Sequence, residues 1–349
     1  MGNSQRIDWK TLRGYCQELF CSQGMSPEDA LTVADVLVDA DLCGVGSHGV
    51  SRMSVYMKRL ACGVVNSRFE PRIQQEYAAS ICIDANNAMG MVAGKFAMER
   101  CISKARENGS CFAAVSNSNH FGVTSYYVRL AAEAGMFGFA STNAPPNIAP
   151  WGSYQPYMGT NPLAFAVPTE GEPIILDMAP SVVAMGKVIL AAKLGKPIPE
   201  GWALTADGKP TTDASLGMKG SVVPIGGPKG CGLSLFADIL CGVLAGAQFG
   251  PHLGNMWNDF TNPQNVGHVF YAVDITKFVP LDIFTSRLAQ MVAEIKDSPR
   301  IDGVDQLFVP GEIEQRNKDQ QKVEGVDLPE VVLDELKTLG ATYKVACPL

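Results

Sequence analysis

Apolar positions change their rhythm twice along the chain. Over the first ~65 residues they recur at helical spacing. Ser26-Pro27-Glu28-Asp29 supplies an N-cap, a first-turn proline and acidic residues for the positive end of a helix dipole. Ala30, Val33, Leu37 and Ala40 then follow three or four apart, and the pattern predicts a helix ending near Gly44 and another over 51–60. From residue 78 short apolar runs alternate with longer amphipathic ones. The spacing predicts a strand over 80–84, a helix over 92–108 closed by Gly109, and a strand over 111–115. A helix over 123–134 stopped by Gly135 and a strand over 136–141 follow, with short apolar runs at 163–167 and 174–176. A Gly/Pro/Thr-rich stretch over 195–228 reads as long loops across a surface or site. Residues 233–246 are apolar nearly all round, as in an interior or interface helix. Helical spacing returns at 281–295 and 328–339. The pattern implies an α/β fold: a core over 76–279 with a parallel or mixed sheet, flanked by a helical lobe of 1–75 plus 280–349.

Composition narrows the function classes. A chain of 349 residues exceeds the roughly 250–300 residues that one hydrophobic core serves, so two or three lobes are expected. A net charge of −7 argues against nucleic acid as a partner, because phosphate binding needs a concentrated basic face. No apolar run approaches the ~18 residues of a membrane span. Residues Met1 to Arg6 lack a basic-then-apolar leader, and Arg6 stands where an acylation signal needs Ser or Thr. The ten cysteines form no Cys-x-x-Cys pair and fall mostly in apolar runs, which suits reduced thiols in the cytoplasm.

With only four histidines, His120 stands out. It follows the strand 111–115 in Ser116-Asn117-Ser118-Asn119-His120-Phe121-Gly122 and precedes a helix. A strand-to-helix turn gives an imidazole rigid support beside a crevice, which suits a general acid/base; a hydrogen-bonded turn histidine is the plain alternative. Gly44-Val45-Gly46-Ser47-His48-Gly49 matches the dinucleotide pattern Gly-x-Gly-x-x-Gly in form only, because a helix and not a strand leads into it. That turn instead presents Ser47 and His48, and i, i+4, i+8 spacing predicts one helix face for His48, Arg52 and Tyr56. Guanidinium, imidazole and phenol together suit a small carboxylate. Gly226-Gly227-Pro228-Lys229-Gly230 precedes the apolar helix and offers backbone amides and one cation to an anion, without the Gly-Lys-Ser/Thr of a nucleotide loop. Asn143-Ala144-Pro145-Pro146, Gly159-Thr160-Asn161-Pro162 and Asp177-Met178-Ala179 lie at strand ends, where crevice walls and plain turns look alike. His252 and His268 have no partner at metal-ligand spacing and read as structural; no metal site is expected.

Taken together and in order, Ser47-His48-Gly49 with Arg52 and Tyr56, Asn119-His120-Phe121-Gly122, Gly159-Thr160-Asn161-Pro162, Asp177-Met178-Ala179, Pro228-Lys229-Gly230 and Pro310-Gly311-Glu312 resemble the malate/L-lactate dehydrogenase family. The resemblance covers residues 7–345. It implies a mixed-sheet α/β fold that is not the doubly wound dinucleotide fold, and a homodimer or assembly of dimers. It also implies hydride transfer between NAD, or NADP, and a small anionic 2-hydroxy or 2-oxo acid. By the same resemblance His120 corresponds to the acid/base. Ser47, His48, Arg52 and Tyr56 correspond to substrate contacts, and Ala144, Thr160, Asn161, Asp177, Met178, Ala179, Lys229, Gly311 and Glu312 to the cofactor site. Ala144 replaces a hydroxyl found in relatives, leaving only its backbone to touch a cofactor. The segment from Asn143 to Trp151 looks like the malate or lactate members, whereas Lys229 and Asp238 look nearer to the ureidoglycolate enzymes, so the acid stays open. A cofactor-independent lyase or hydrolase built on His48 and His120 is the rival reading, and a non-catalytic protein that kept the fold is a third.

Overall fold

The computed structural model describes residues 4–349, so the part of the leader reading that rests on Met1, Gly2 and Asn3 lies outside the described residues. The chain begins with β1 (Ser4–Ile7), α1 (Trp9–Ser22) and α2 (Pro27–Leu42), then 3₁₀ turns at Gly46–His48 and Val50–Arg52, and α3 (Met53–Ala61). The central part follows as β2 (Arg72–Glu76), β3 (Ser80–Asp84), α4 (Gly90–Asn108), β4 (Ser110–Ser118), α5 (Ser125–Glu133), β5 (Met136–Thr142), β6 (Leu163–Val167) and β7 (Ile174–Met178). Next come α6 (Met185–Lys193), β8 (Ala203–Leu204), β9 (Pro210–Thr211), α7 (Ala214–Gly217), β10 (Ser221–Val222) and α8 (Pro228–Asp238). The chain closes with β11 (Val266–Asp274), α9 (Leu281–Lys296), α10 (Glu312–Glu324), β12 (Val326–Pro329) and α11 (Glu330–Tyr343).

Local signals set the helix ends as expected. Ser26 accepts the Asp29 N–H at 3.1 Å with Pro27 at the first position of α2. Gly44, Gly109 and Gly135 follow α2, α4 and α5 with φ of 81°, 87° and 77°, a region that costs glycine nothing.

The main sheet has the order β2-β3-β4-β11-β5-β6-β7. Only β3 and β4 pair in parallel; the other neighbours are antiparallel. Strands β3, β4, β5 and β7 therefore share one direction, and their C-terminal ends open at one edge of the sheet with the starts of β6 and β11. The sequence pattern leaves β11 unread although it lies at the centre. It is covered on both faces, so it lacks the alternation that marks a half-buried strand. The stretch 195–228 is also more ordered than loops: β10-β8-β9 form a small sheet that shares a core of Ile148, Val188, Ile198 and Val222 with α6.

Apolar residues from both chain ends make one core, in which Leu12, Phe20, Leu37, Met53 and Tyr56 meet Val326, Leu333 and Leu336. A second core fills the space between the sheet and α4 and α5, with Ile83, Ala97, Val115, Tyr127 and Phe270. Helix α10, polar but for Ile313 and Val323 and absent from the apolar pattern, is fixed by hydrogen bonds instead. Gln321 donates to the carbonyls of Asp41 and Leu42 at 2.9 Å, Asn317 donates to that of Cys43 at 3.3 Å, and Lys318 pairs with Asp39 at 2.5 Å. The apolar segment after Gly227 is α8, continued by a π-helical turn Ile239–Leu244, and it lies at the surface with Leu235, Phe236, Val243 and Leu244 exposed. Its all-round apolarity is therefore not that of an interior helix. All ten cysteines are free thiols, most of them buried.

Where α4 begins, the chain passes against the turn that carries His120. A Cβ on Gly90 would lie 2.0 Å from the Asn119 carbonyl oxygen and 2.7 Å from that of His120. Backbone cannot yield as a side-chain tip does, so Gly90→Ala should destabilise by roughly 1–3 kcal/mol or more. A urea midpoint equal to that of the wild type would show that the contact is relaxed in solution.

Candidate active site

The turn after β4 is built from asparagines. Asn117 adopts a left-handed φ of 51°, as do Asn86, Asn87 and Asn265 around it, a region that asparagine tolerates better than other side chains. Their amides cross-link the turn: Asn117 N–H donates to Asn265 Oδ1 at 2.9 Å, and Asn119 Nδ2 donates to the Ala88 carbonyl at 2.9 Å. Gln264, buried in the loop just before β11, accepts the His120 N–H at 3.2 Å. His120 thus stands on a rigid strand end at the open edge of the sheet.

The second half of the site comes from the chain-end lobe. His48, Arg52 and Tyr56 do not share one helix, because Gly49 breaks the path with φ −90° and ψ −150°. His48 ends one 3₁₀ turn, Arg52 ends the next, and Tyr56 lies in α3. They converge nonetheless. Tyr56 Oη lies 2.6 Å from His120 Nδ1, and the rings of His48 and His120 stack with centroids 5.8 Å apart. Arg52 spends Nε on the Ser47 carbonyl at 2.6 Å and lays its guanidinium over the Trp257 ring at 4.5 Å. Its Nη atoms make no hydrogen bond among the described residues, which leaves them for an anion. Ser47 Oγ meets His48 Nδ1 at 3.0 Å.

Burial, then the charge of Arg52, hold the His120 imidazole well below its usual pKa, and the same two causes push His48 down to about 4. Both rings are neutral near pH 7. Burial raises the Tyr56 phenol against the pull of Arg52, so it stays protonated. The site therefore holds one full charge, the Arg52 cation, at the mouth of a neutral polar cluster.

The sequence reading missed three supports. Trp257 and Gln264 come from a distant loop and no local motif marks them. Asp41 explains the glycines of the false dinucleotide pattern. Its buried carboxylate accepts the Val50 N–H at 2.7 Å, and a Cβ on Gly49 would land 2.0 Å from its Oδ1. The glycine is required by a carboxyl group, not by a phosphate.

Of the residues assigned to a cofactor by resemblance, Ala144, Thr160, Asn161, Asp177, Met178 and Ala179 lie at the same open sheet edge, while Gly311 backs onto the start of β7. Asp177 at the end of β7 is open to solvent, and its Oδ2 accepts the Ser125 N–H at 2.7 Å where α5 begins. Protein crowds the rest of it, so burial raises its pKa. Next to it, Thr124 Oγ1 is buried without a partner. Exposed Lys229 sits in the first turn of α8, after two left-handed glycines, Gly226 and Gly227, while Thr160, Met178 and Ala179 are half-buried. Gly311, with φ 91°, backs onto Ile175 of β7; a Cβ there would lie 3.0 Å from the Ile175 oxygen. A carboxylate with an uncommitted oxygen suits a ribose diol, and a cation at a helix start suits a pyrophosphate. Those features fit a dinucleotide.

Three of the assigned residues are committed elsewhere. Asn161 is fully buried, accepting the Ala144 N–H at 2.9 Å and donating to the Ser234 carbonyl at 2.9 Å. It braces the crevice wall from behind, and the Ala144 amide thought free for a cofactor is already used. Glu312 is engaged by Lys296 and by the Val309 N–H at 3.0 Å, closing its own turn. His268 is buried between Thr142 Oγ1 at 2.7 Å and Ser118 Oγ at 2.8 Å and stacks on Phe121, a structural histidine as read.

Comparison with known proteins places these features in a family context. The sequence profile described as malate/L-lactate dehydrogenase matches residues 7–337. The chain is 38% identical over 348 residues to a malate dehydrogenase of Pyrococcus abyssi, covering 97% of this chain and 95% of that one. It is 36% identical over 324 residues to the NAD(+) ureidoglycolate dehydrogenase of Escherichia coli O157:H7, covering 93% and 92%. Among solved structures, the sulfolactate dehydrogenase of Methanocaldococcus jannaschii superposes with a TM-score of 0.92 at 34% identity, covering 98% of each chain.

Asp41 gives the site a pH signature in stability. Burial raises its carboxyl to about 7 from an ordinary value of 3.8. A raised acid stabilises the fold fully below its ordinary pKa and loses that contribution as pH rises through about 7. Asp41→Asn keeps an acceptor for Val50 and cannot ionise. Its stability should gain on the wild type between pH 4 and 7, by at most about 4 kcal/mol, and no further above pH 7. Parallel urea midpoints across that range would remove Asp41 from the account.

Proposed function

The chain belongs to the malate/L-lactate dehydrogenase family, and from that premise we propose how its site works. It is an oxidoreductase that moves a hydride reversibly between NAD or NADP and a small 2-hydroxy acid of the malate, ureidoglycolate or sulfolactate kind. The observation that carries the residue roles is the bare Nε2 of His120. It is neither hydrogen-bonded nor buried among the described residues, and it belongs to a ring crowded by Tyr56, His48 and the Arg52 charge.

Arg52 holds the substrate carboxylate through its free Nη atoms, with Trp257 as a floor that keeps the guanidinium plane fixed. His48 and Ser47 line the same pocket and accept or donate to the acid's oxygens. A bound nicotinamide supplies or accepts the hydride at the substrate C2. His120 carries the accompanying proton at Nε2, giving it to the carbonyl oxygen of an oxo acid and taking it back from a hydroxy acid. Asp177 would receive ribose hydroxyls and Lys229 with the start of α8 a pyrophosphate, while Thr160, Met178, Ala179 and the Gly311-Glu312 turn form walls. Asn161 and the Ala144 amide hold the wall in shape. The relatives named above are dehydrogenases, which leaves the cofactor-independent alternative without support.

In this reading 76–279 is the catalytic and cofactor core, and 1–75 with 280–349 delivers the substrate residues. The free thiols suit the reducing cytoplasm. Among the described residues no helix is long and apolar enough to cross a membrane. The exposed apolar face of α8 and its π-helical continuation is the surface we assign to a homodimer.

His120→Ala should lower turnover by roughly 10²–10⁴-fold with nicotinamide binding, followed by fluorescence, retained; turnover within a few-fold of wild type would end the assignment. Arg52→Ala should chiefly raise the KM for the acid, and a change confined to cofactor affinity would contradict its role. Phe236→Glu with Val243→Glu should shift sedimentation from dimer to monomer. An unchanged dimer would place the interface elsewhere.

A further inference from the structure

We propose that Tyr56 serves the imidazole and not the substrate: its phenol fixes His120 as the Nε2–H tautomer and replaces at Nδ1 the proton that leaves from Nε2. This rests on His120 being the proton carrier, and it departs from the substrate-contact role that resemblance assigns to Tyr56.

Two groups converge on Nδ1 of His120. Tyr56 Oη lies 2.6 Å away, and the backbone N–H of Gly122 points at the same atom from 3.2 Å. An amide N–H can only donate, so Nδ1 presents its lone pair and the ring proton sits on Nε2. With Nδ1 an acceptor, the phenol is the donor in the short contact. Tyr56 is 3% exposed and its oxygen has no other hydrogen-bond partner among the described residues, which leaves it little surface for a substrate. Gly122 holds its position because it needs a φ of 80° and has no room for a side chain; a Cβ would lie 2.6 Å from Val36. The donor pair is therefore fixed from two different elements, α3 and the turn after β4.

The proton balance then follows. When an oxo acid gains a hydride at C2, its oxygen takes the proton from Nε2. A neutral ring losing that proton alone would become an imidazolate anion. Passage of the phenolic proton from Oη to Nδ1 in the same event keeps the ring neutral. The negative charge is left on the Tyr56 oxygen, where the Arg52 cation offsets part of the burial that raises the phenol's pKa. The Gly122 N–H opposes a proton on Nδ1, so the ring and phenol return to the starting arrangement once water resupplies one proton. Oxidation of a hydroxy acid runs the same transfers backwards. An imidazolium start is disfavoured by burial and by the Arg52 charge beside the ring.

The resting tautomer is directly measurable. In unliganded protein carrying isotope-labelled histidine, with the His120 signals identified by their loss in His120→Gln, NMR near neutral pH should show an unprotonated Nδ1 and a protonated Nε2. In Tyr56→Phe that preference should weaken. With a slow oxo acid, so that chemistry limits the rate, wild-type reduction in H₂O/D₂O mixtures should depend on deuterium fraction as for two protons in transit. Tyr56→Phe should show the dependence of one, with turnover lower by about 10²-fold and the thermal midpoint lowered by no more than about 2–4 °C. A protonated Nδ1 in the wild type overturns the proposal, and so does a Tyr56→Phe enzyme with near-normal turnover and the same deuterium dependence. Failure of His120 itself is a separate result, read from the turnover of His120→Ala.

Discussion

One hydrogen bond joins the two halves of this molecule at the point where chemistry is expected: Tyr56 Oη to His120 Nδ1, at 2.6 Å. Its partners rest on different hydrophobic cores. Tyr56 is buried in the core shared by the two chain ends, and His120 stands on a strand of the central sheet. The short contact exists only when both cores are packed and correctly opposed. A neutral hydrogen bond contributes only about 1 kcal/mol of net stability, so it cannot hold the lobes together. The packing holds them, and the hydrogen bond reports that they are in place.

The supports around that bond divide the work between backbone and side chain. Glycines at 49, 90 and 122 are needed where a Cβ would collide with Asp41, with the Asn119 carbonyl and with Val36. Asparagines at 86, 87, 117 and 265 take left-handed backbone and tie the turns to one another. Helix α10 adds a longer link. It starts at the Gly311 turn behind β7 and ends with Gln321 on the last carbonyls of α2, just before the substrate turn. The two walls of the crevice thus share a rigid strut, and their spacing is set by a helix with almost no apolar face.

Electrostatics at the site is economical. Neutral imidazoles and a protonated phenol surround one cation, Arg52, that lacks an acidic partner among the described residues. In the proposed function an arriving carboxylate supplies the missing charge.

Much of this was legible in the residues. Caps, glycine stops and apolar spacing located most helices and strands of the central region, and the glycine pattern was set aside for the right reason, since a helix leads into it. His120 stood out because histidines are few and it follows a strand, Arg52 and Tyr56 because they recur at helical spacing after His48, and Lys229 because glycines surround it before an apolar helix. What the sequence could not give was anything decided by long-range contact. Strand β11 lies at the centre of the sheet yet carries no alternation, since both its faces are covered. Trp257, Gln264 and Asp41 support the site from positions that no local motif marks. Asn161 sits in a motif that reads as a contact, but its amide is spent inside the wall. Local periodicity fixes which elements form, because it records which face of a helix or strand meets water; only tertiary packing decides which side chains face one another across a crevice, because that depends on distances between elements that the chain order does not encode.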